Sequence, residues 1–180
     1  MIKSLFRAPM AINTRIFKHN LIVCSNIVVR KGEKFLFIRR SNKKKVAPGF
    51  VHFIGGKVKL NEDPLIAAKR ELMEEAGVTA ENVKLEAVIT EVFPPSSPDF
   101  GGTWLVFNFS GELVSGTPKA TEEGDLLWLT AEEVAKEKLI VSVAKTIRYI
   151  LDPGKGTIFA RFRYNSKGEI KDSEINFCKI

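Results

Sequence analysis

Glu71, Glu74 and Glu75 hold the clearest chemistry in this chain. On a helix turning ~100° per residue they fall within an arc of about 100°. Like charges three or four positions apart cost ~0.2–0.5 kcal/mol per pair, and the last turns of a helix already carry the negative end of its dipole. Arg70 can pair with Glu74 at i,i+4 and Lys69 lies nearby, yet side-chain cations alone do not answer three carboxylates. A divalent metal does. Oxygen ligands with no Cys or His beside them favour a hard cation, Mg²⁺ first and Mn²⁺ second, and Mg²⁺ takes further ligands from substrate phosphates. The pattern points to phosphoryl chemistry; the plain alternative is a solvated, charged helix face.

The helix that must present these groups starts at Asp63-Pro64, a capping carboxylate followed by a proline tolerated in the first turn, and stops at Gly77. Leu65, Ala68, Leu72 and Ala76 form its apolar stripe, so the stripe packs on a sheet and the glutamates face away. Residues 21–29 and 34–39 predict a hairpin about Lys31-Gly32-Glu33. A polar loop, residues 41–49, then leads into a short apolar segment and Gly55-Gly56. Residues 83–93, 103–109 and 126–129 predict further strands. A second helix over residues 141–151 follows Ala131-Glu132-Glu133-Val134, and residues 157–164 and 169–177 predict a terminal hairpin.

A chain of 180 residues, 44% hydrophobic, fits one globular domain with a proper core. Its net charge of +7 favours anions such as nucleotides, polyphosphates or RNA, or serves solubility alone. Residues 1–20 predict a basic extension. Cys24 and Cys178 make neither metal-ligand spacing nor a disulfide framework, and no apolar stretch approaches a membrane span, so a cytoplasmic protein is expected. His19 and His52 are too isolated to suggest a zinc site or a triad.

Gly56, five residues, Glu62, seven residues, then Arg70-Glu71-Leu72-Met73-Glu74-Glu75-Ala76-Gly77-Val78 resembles the signature of the Nudix hydrolases, G-x5-E-x7-R-E-U-x-E-E-x-G-U with U aliphatic, at every specified position. The resemblance implies an α/β (α+β) Nudix fold, a mixed sheet between helices, over residues 21–151, with residues 152–180 as a C-terminal hairpin extension. It also implies Mg²⁺-dependent cleavage of the diphosphate linkage of a nucleoside diphosphate derivative. Carried over by position, Glu71, Glu74 and Glu75 match the metal-binding carboxylates, and the Gly55 carbonyl matches a backbone ligand. Arg70 and Glu62 match supporting residues, with Arg70 orienting a helix carboxylate. Gly56 and Gly77 match positions where side chains would obstruct the backbone. The general base is Glu71, Glu122 or Glu123, with Glu123 preferred.

Substrate choice lies outside the signature. Arg39 and Arg40, with Lys43 to Lys45, are candidates for distal phosphates. Phe100 and Trp104 are candidates for stacking on a base, with core packing as the alternative for Trp104. The Leu-x-Trp-Leu strand resembles the MutT-like branch, which hydrolyses nucleoside triphosphates. Pro94, 16 residues beyond Val78, resembles the downstream proline of ADP-ribose pyrophosphatases, so ADP-ribose or a nucleotide sugar is the runner-up. A non-catalytic nucleotide- or RNA-binding module on the same domain is the reading from another class, and the intact glutamate set opposes it. The terminal strands either pair across a homodimer or cover the domain.

Overall fold

Six consecutive buried residues, Cys24 to Val29, mark the first strand as one covered on both faces. The computed structural model describes residues 21–97, 101–152, 154 and 156–178; the expected extension over residues 1–20, and Phe100, lie outside them. β1 (Leu21–Lys31) turns through Gly32 into β2 (Lys34–Arg40), the expected hairpin. On its other side β1 runs parallel to β6 (Gly102–Ser115). With β3 (Val51–His52), β5 (Thr79–Phe93), β8 (Thr157–Tyr164) and β9 (Ile170–Cys178), the order across the sheet is β3-β2-β1-β6-β5-β8-β9. β4 (Ile54–Lys57) pairs with β1, and β7 (Gly124–Leu129) with β2. The helices are α1 (Pro64–Ala76), α2 (Ala131–Val134) and α3 (Val141–Leu151), giving the expected mixed α+β architecture.

Strand alternation divides the core in two. Ile27 and Val29 point one way, to Leu36, Ile54 and the α1 residues Ala68 and Leu72. Val28 points the other way, into a cluster with Phe37, Val51 and the α3 residues Ile147 and Ile150. The sheet therefore holds α1 on one face and α3 on the other. The terminal hairpin is no loose cover: β8 pairs with β5 in parallel and β9 with β8, so both strands continue the same sheet beyond residue 152. Among the described residues no helix is long and apolar enough to cross a membrane.

Helix α1 begins and ends as its sequence predicts. Asp63 Oδ1 accepts the Ile66 N–H at 2.9 Å, and Gly77, with φ of 68°, closes the last turn by donating its N–H to the Met73 carbonyl. The buried stripe needs one correction. Ala67 is buried with Ala68, Leu72 and Ala76, whereas Leu65 is 36% exposed. The helix meets β1 and β4 close by, where an alanine fits and a leucine is turned to the rim. Gly77→Ala places a Cβ in the left-handed region and should lower stability by ~1 kcal/mol, read as an earlier urea midpoint with unchanged m-value.

Candidate active site

Arg70 gathers the acidic residues of α1. Its Nε and Nη2 donate to Glu62 at 2.6 and 3.0 Å, a two-pronged grip, while Nη1 donates to Glu71 at 2.7 Å and to Glu74 at 2.9 Å. Nη2 also reaches the Lys57 carbonyl at 3.2 Å, tying the helix to the end of β4. The Arg70 hydrogen bonds, helped by the Lys59 N–H, hold the Glu62 carboxyl at about 2. Glu62 thereby anchors the arginine, whose remaining nitrogen bonds Glu71 and Glu74.

Glu75 faces the other way. The Gly55 N–H donates to its Oε2 at 3.2 Å. Burial pushes the Glu75 carboxyl up to about 7 despite that bond, and the negative charges of Glu71 and Glu123 add to the rise. The three helix glutamates therefore do not converge as expected: among the described residues no three acidic, Cys or His side chains close on one point. Repulsion separates them, and each turns to its nearest donor. Glu71 and Glu74 lean on Arg70, and Glu74 also meets Lys59 at 3.5 Å.

The donors still suit a hard cation. Glu75 is a desolvated carboxylate beside the like charges of Glu71 and Glu123, and its hydrogen-bond donor among the described residues is the Gly55 N–H. A Cβ on Gly56 would stand 2.5 Å from Glu71 Oε1, so that glycine leaves the space the carboxylate fills. Glu123, whose charge reaches Glu75, is bridged by Lys44 from the polar loop; its backbone carbonyl accepts the Ser41 N–H at 2.8 Å. Adjacent positions on β2 send their side chains to opposite faces. Arg39 is clamped by both oxygens of Glu137 at 2.9 Å, whereas Arg40 bonds the Val46 carbonyl and lends its charge to Glu75.

Beside Gly55 opens a cavity of about 450 Å³, between the sheet and α3. Its floor is a grid of side chains in register: Ile22 beside Trp104, Cys24 beside Val106 and Asn26 beside Asn108 on β1 and β6, with Glu91 of β5 opposite Trp104. Trp104 is thus a cavity wall and carries Lys57 Nζ 5.8 Å from its ring centre. Asn26 donates to Asn108 Oδ1 at 3.0 Å, leaving the buried Asn108 Nδ2 with no partner among the described residues. Burial pushes His52 down to about 4, so the ring is neutral near pH 7, with Nδ1 donating to the Phe53 carbonyl at 2.9 Å. Burial lifts the Cys24 thiol to about 11, which leaves it inert. Sequence reasoning missed Asn26, His52, Glu91 and Asn108 as site residues. The signal was there for the two asparagines and the glutamate: polar side chains at the inward positions of strands that otherwise alternate apolar.

The sequence profile of the NUDIX domain matches residues 20–150. This chain therefore belongs to the Nudix family, and it is a hydrolase of that family. It is 28% identical over 120 residues to the 8-oxo-dGTP diphosphatase of Escherichia coli (strain K12), covering 66% of this chain and 92% of that protein. The fold superposes on a mutator MutT protein from Bacillus halodurans with a TM-score of 0.69 at 21% identity, over 86% of this chain and 97% of the other. An ADP-ribose pyrophosphatase from Streptococcus suis 89-1591 superposes with a TM-score of 0.55 at 14% identity, over 79% and 97% of the two chains.

The Arg70 grip has a pH signature. Glu62 titrates at about 2 when folded against an ordinary 4.5, so its stabilisation is complete above pH 4.5 and is lost as pH falls from 4.5 through 2. Arg70→Gln should be less stable than wild type at pH 7 and should lose less stability across that window, as measured by urea unfolding at stepped pH.

Proposed function

We propose that the protein is a Mg²⁺-dependent, MutT-like pyrophosphohydrolase acting on a nucleoside triphosphate. One observation carries this reading: the Gly55–Glu75 contact stands at the junction of a carboxylate-rich helix and a cavity walled by Trp104. Oxygen ligands for a diphosphate-bound cation thus adjoin a slot of a size suited to a nucleoside.

In this reading Glu71, Glu74, Glu75 and the Gly55 carbonyl hold Mg²⁺. A divalent ion held by these groups would supply charge neutralisation of the diphosphate and a more acidic water. The remaining work belongs to the chain. Trp104 stacks on the base, and Arg40 draws the phosphates toward Glu75. Glu123 accepts the proton of the attacking water at its carboxylate, and Arg70 holds Glu71 and Glu74 in place through the reaction. The relatedness to the Escherichia coli 8-oxo-dGTP diphosphatase over most of that protein's length supports the triphosphate choice.

An ADP-ribose or nucleotide-sugar substrate is the second reading, favoured by the position of Pro94. A panel assayed with Mg²⁺ separates them, since a triphosphate releases pyrophosphate or phosphate, whereas ADP-ribose yields two monophosphates. We expect pyrophosphate from a nucleoside triphosphate; turnover of ADP-ribose alone selects the second reading. Glu75→Gln should cut turnover roughly 10²-fold or more with the fold intact by circular dichroism, and near-normal turnover would dismiss the site.

A further inference from the structure

Glu91 is an anion in a place that the phosphate chemistry does not use. It lines the cavity, cross-strand from Trp104 and on the same face as the apolar Ile89 and Val106. A carboxylate only accepts hydrogen bonds, and a partly buried one needs donors. The described residues supply one. Tyr164 Oη donates to Glu91 Oε1 at 2.9 Å. Burial, and then the charge of Glu91, raise the Tyr164 hydroxyl well above its ordinary range, so it stays a donor. Its ring is stacked on Phe93, with centres 4.2 Å apart and planes 5° from parallel. Glu91 is therefore aimed by a tyrosine that is itself held against the end of β5.

A base stacked on Trp104 presents its edge to the neighbouring strand, where Glu91 stands. The best complement to two carboxylate oxygens is a pair of parallel N–H donors, and among the common bases only guanine carries such a pair, at N1 and the 2-amino group. Adenine and cytosine offer an amino group beside a bare ring nitrogen, which would face the carboxylate lone pair to lone pair. Hypoxanthine keeps N1–H and lacks the second donor.

Resting on the assignment of this cavity to the nucleoside, we propose that Glu91 is a specificity-determining residue that selects a guanine-type base, and that Tyr164 of the terminal hairpin is the positioning residue that holds it. Guanine and 8-oxoguanine share the recognised edge. The hairpin outside the signature domain thereby takes part in substrate choice.

The test is metal-free equilibrium binding of dGMP, 8-oxo-dGMP, dIMP and dAMP to the full chain, followed by tryptophan fluorescence. Wild type should bind dGMP or 8-oxo-dGMP about tenfold more tightly than dIMP, and more tightly still than dAMP; the two guanine arms show which form the rest of the cavity prefers. E91Q should erase the preference over dIMP, and Y164F should narrow it while thermal unfolding moves little. A wild type that binds dIMP as well as dGMP overturns the proposal whatever the variants do. So does an E91Q that keeps the preference, or a Y164F that loses stability at an unchanged binding ratio. Because binding is read without metal or turnover, guanine selectivity in a chain that hydrolyses no triphosphate would sink the proposed reaction and leave this inference standing.

Discussion

The guanidinium of Arg70 is the tie on which the acidic face of α1 depends. Four glutamates crowd the neighbourhood of this helix, and without a fixed cation among them their repulsion would open the last turns or disperse the side chains. A planar fork satisfies several acceptors from one rigid centre, which a lysine ammonium on a flexible stem does not match. The two-pronged bond to Glu62 at the helix approach sets the arginine, and the arginine sets Glu71 and Glu74. Glu75 is left out of this arrangement. It is the carboxylate turned toward Gly55, at the mouth of the cavity, and its raised titration expresses burial first and the charges of Glu71 and Glu123 after it. Order on one side of the helix and unmet charge on the other arise from the same cluster.

Much of this was legible in the chain because it is local. Asp63-Pro64 and Gly77 bound α1 through short-range capping chemistry that depends on nothing distant. The Gly-Glu turn and the β-branched and aromatic runs around it likewise specified β1 and β2. The facing of Leu65 was misread because periodicity gives an axis for a helix but not the width of the surface it meets. Whether Ala67 or Leu65 is covered depends on how closely β1 and β4 approach, and that is a tertiary distance. The convergence of three glutamates failed for a related reason. Helical angle places Cα atoms, whereas long charged side chains go where donors are.

The cavity was less legible, since it is written in pairings between strands far apart in sequence. Asn26, Asn108 and Glu91 each look like an ordinary polar residue in a strand. They become one surface only when β1 lies parallel to β6 and β6 lies antiparallel to β5 in a particular register. A slip of one residue would turn every one of them to the α1 face. The choice between Arg39 and Arg40 has the same origin, because alternation separates neighbours that sequence presents as a pair. Trp104, a stacking candidate with core packing as the alternative, lines the cavity because of that same register.

The parallel pairing of β8 with β5 has a consequence for biosynthesis. β5 precedes β8 by more than sixty residues, so during translation the outer edge of β5, with its backbone N–H and C=O groups unpaired, is made before its neighbour exists. A nascent sheet in that state offers a template for strands of other chains. The register of Ala87 to Val92 with Ile158 to Arg163 must then form over a long sequence separation, a slow kind of contact. Ribosome stalling between residues 151 and 157 should therefore yield a chain with most of its secondary structure in place and a pronounced tendency to self-associate.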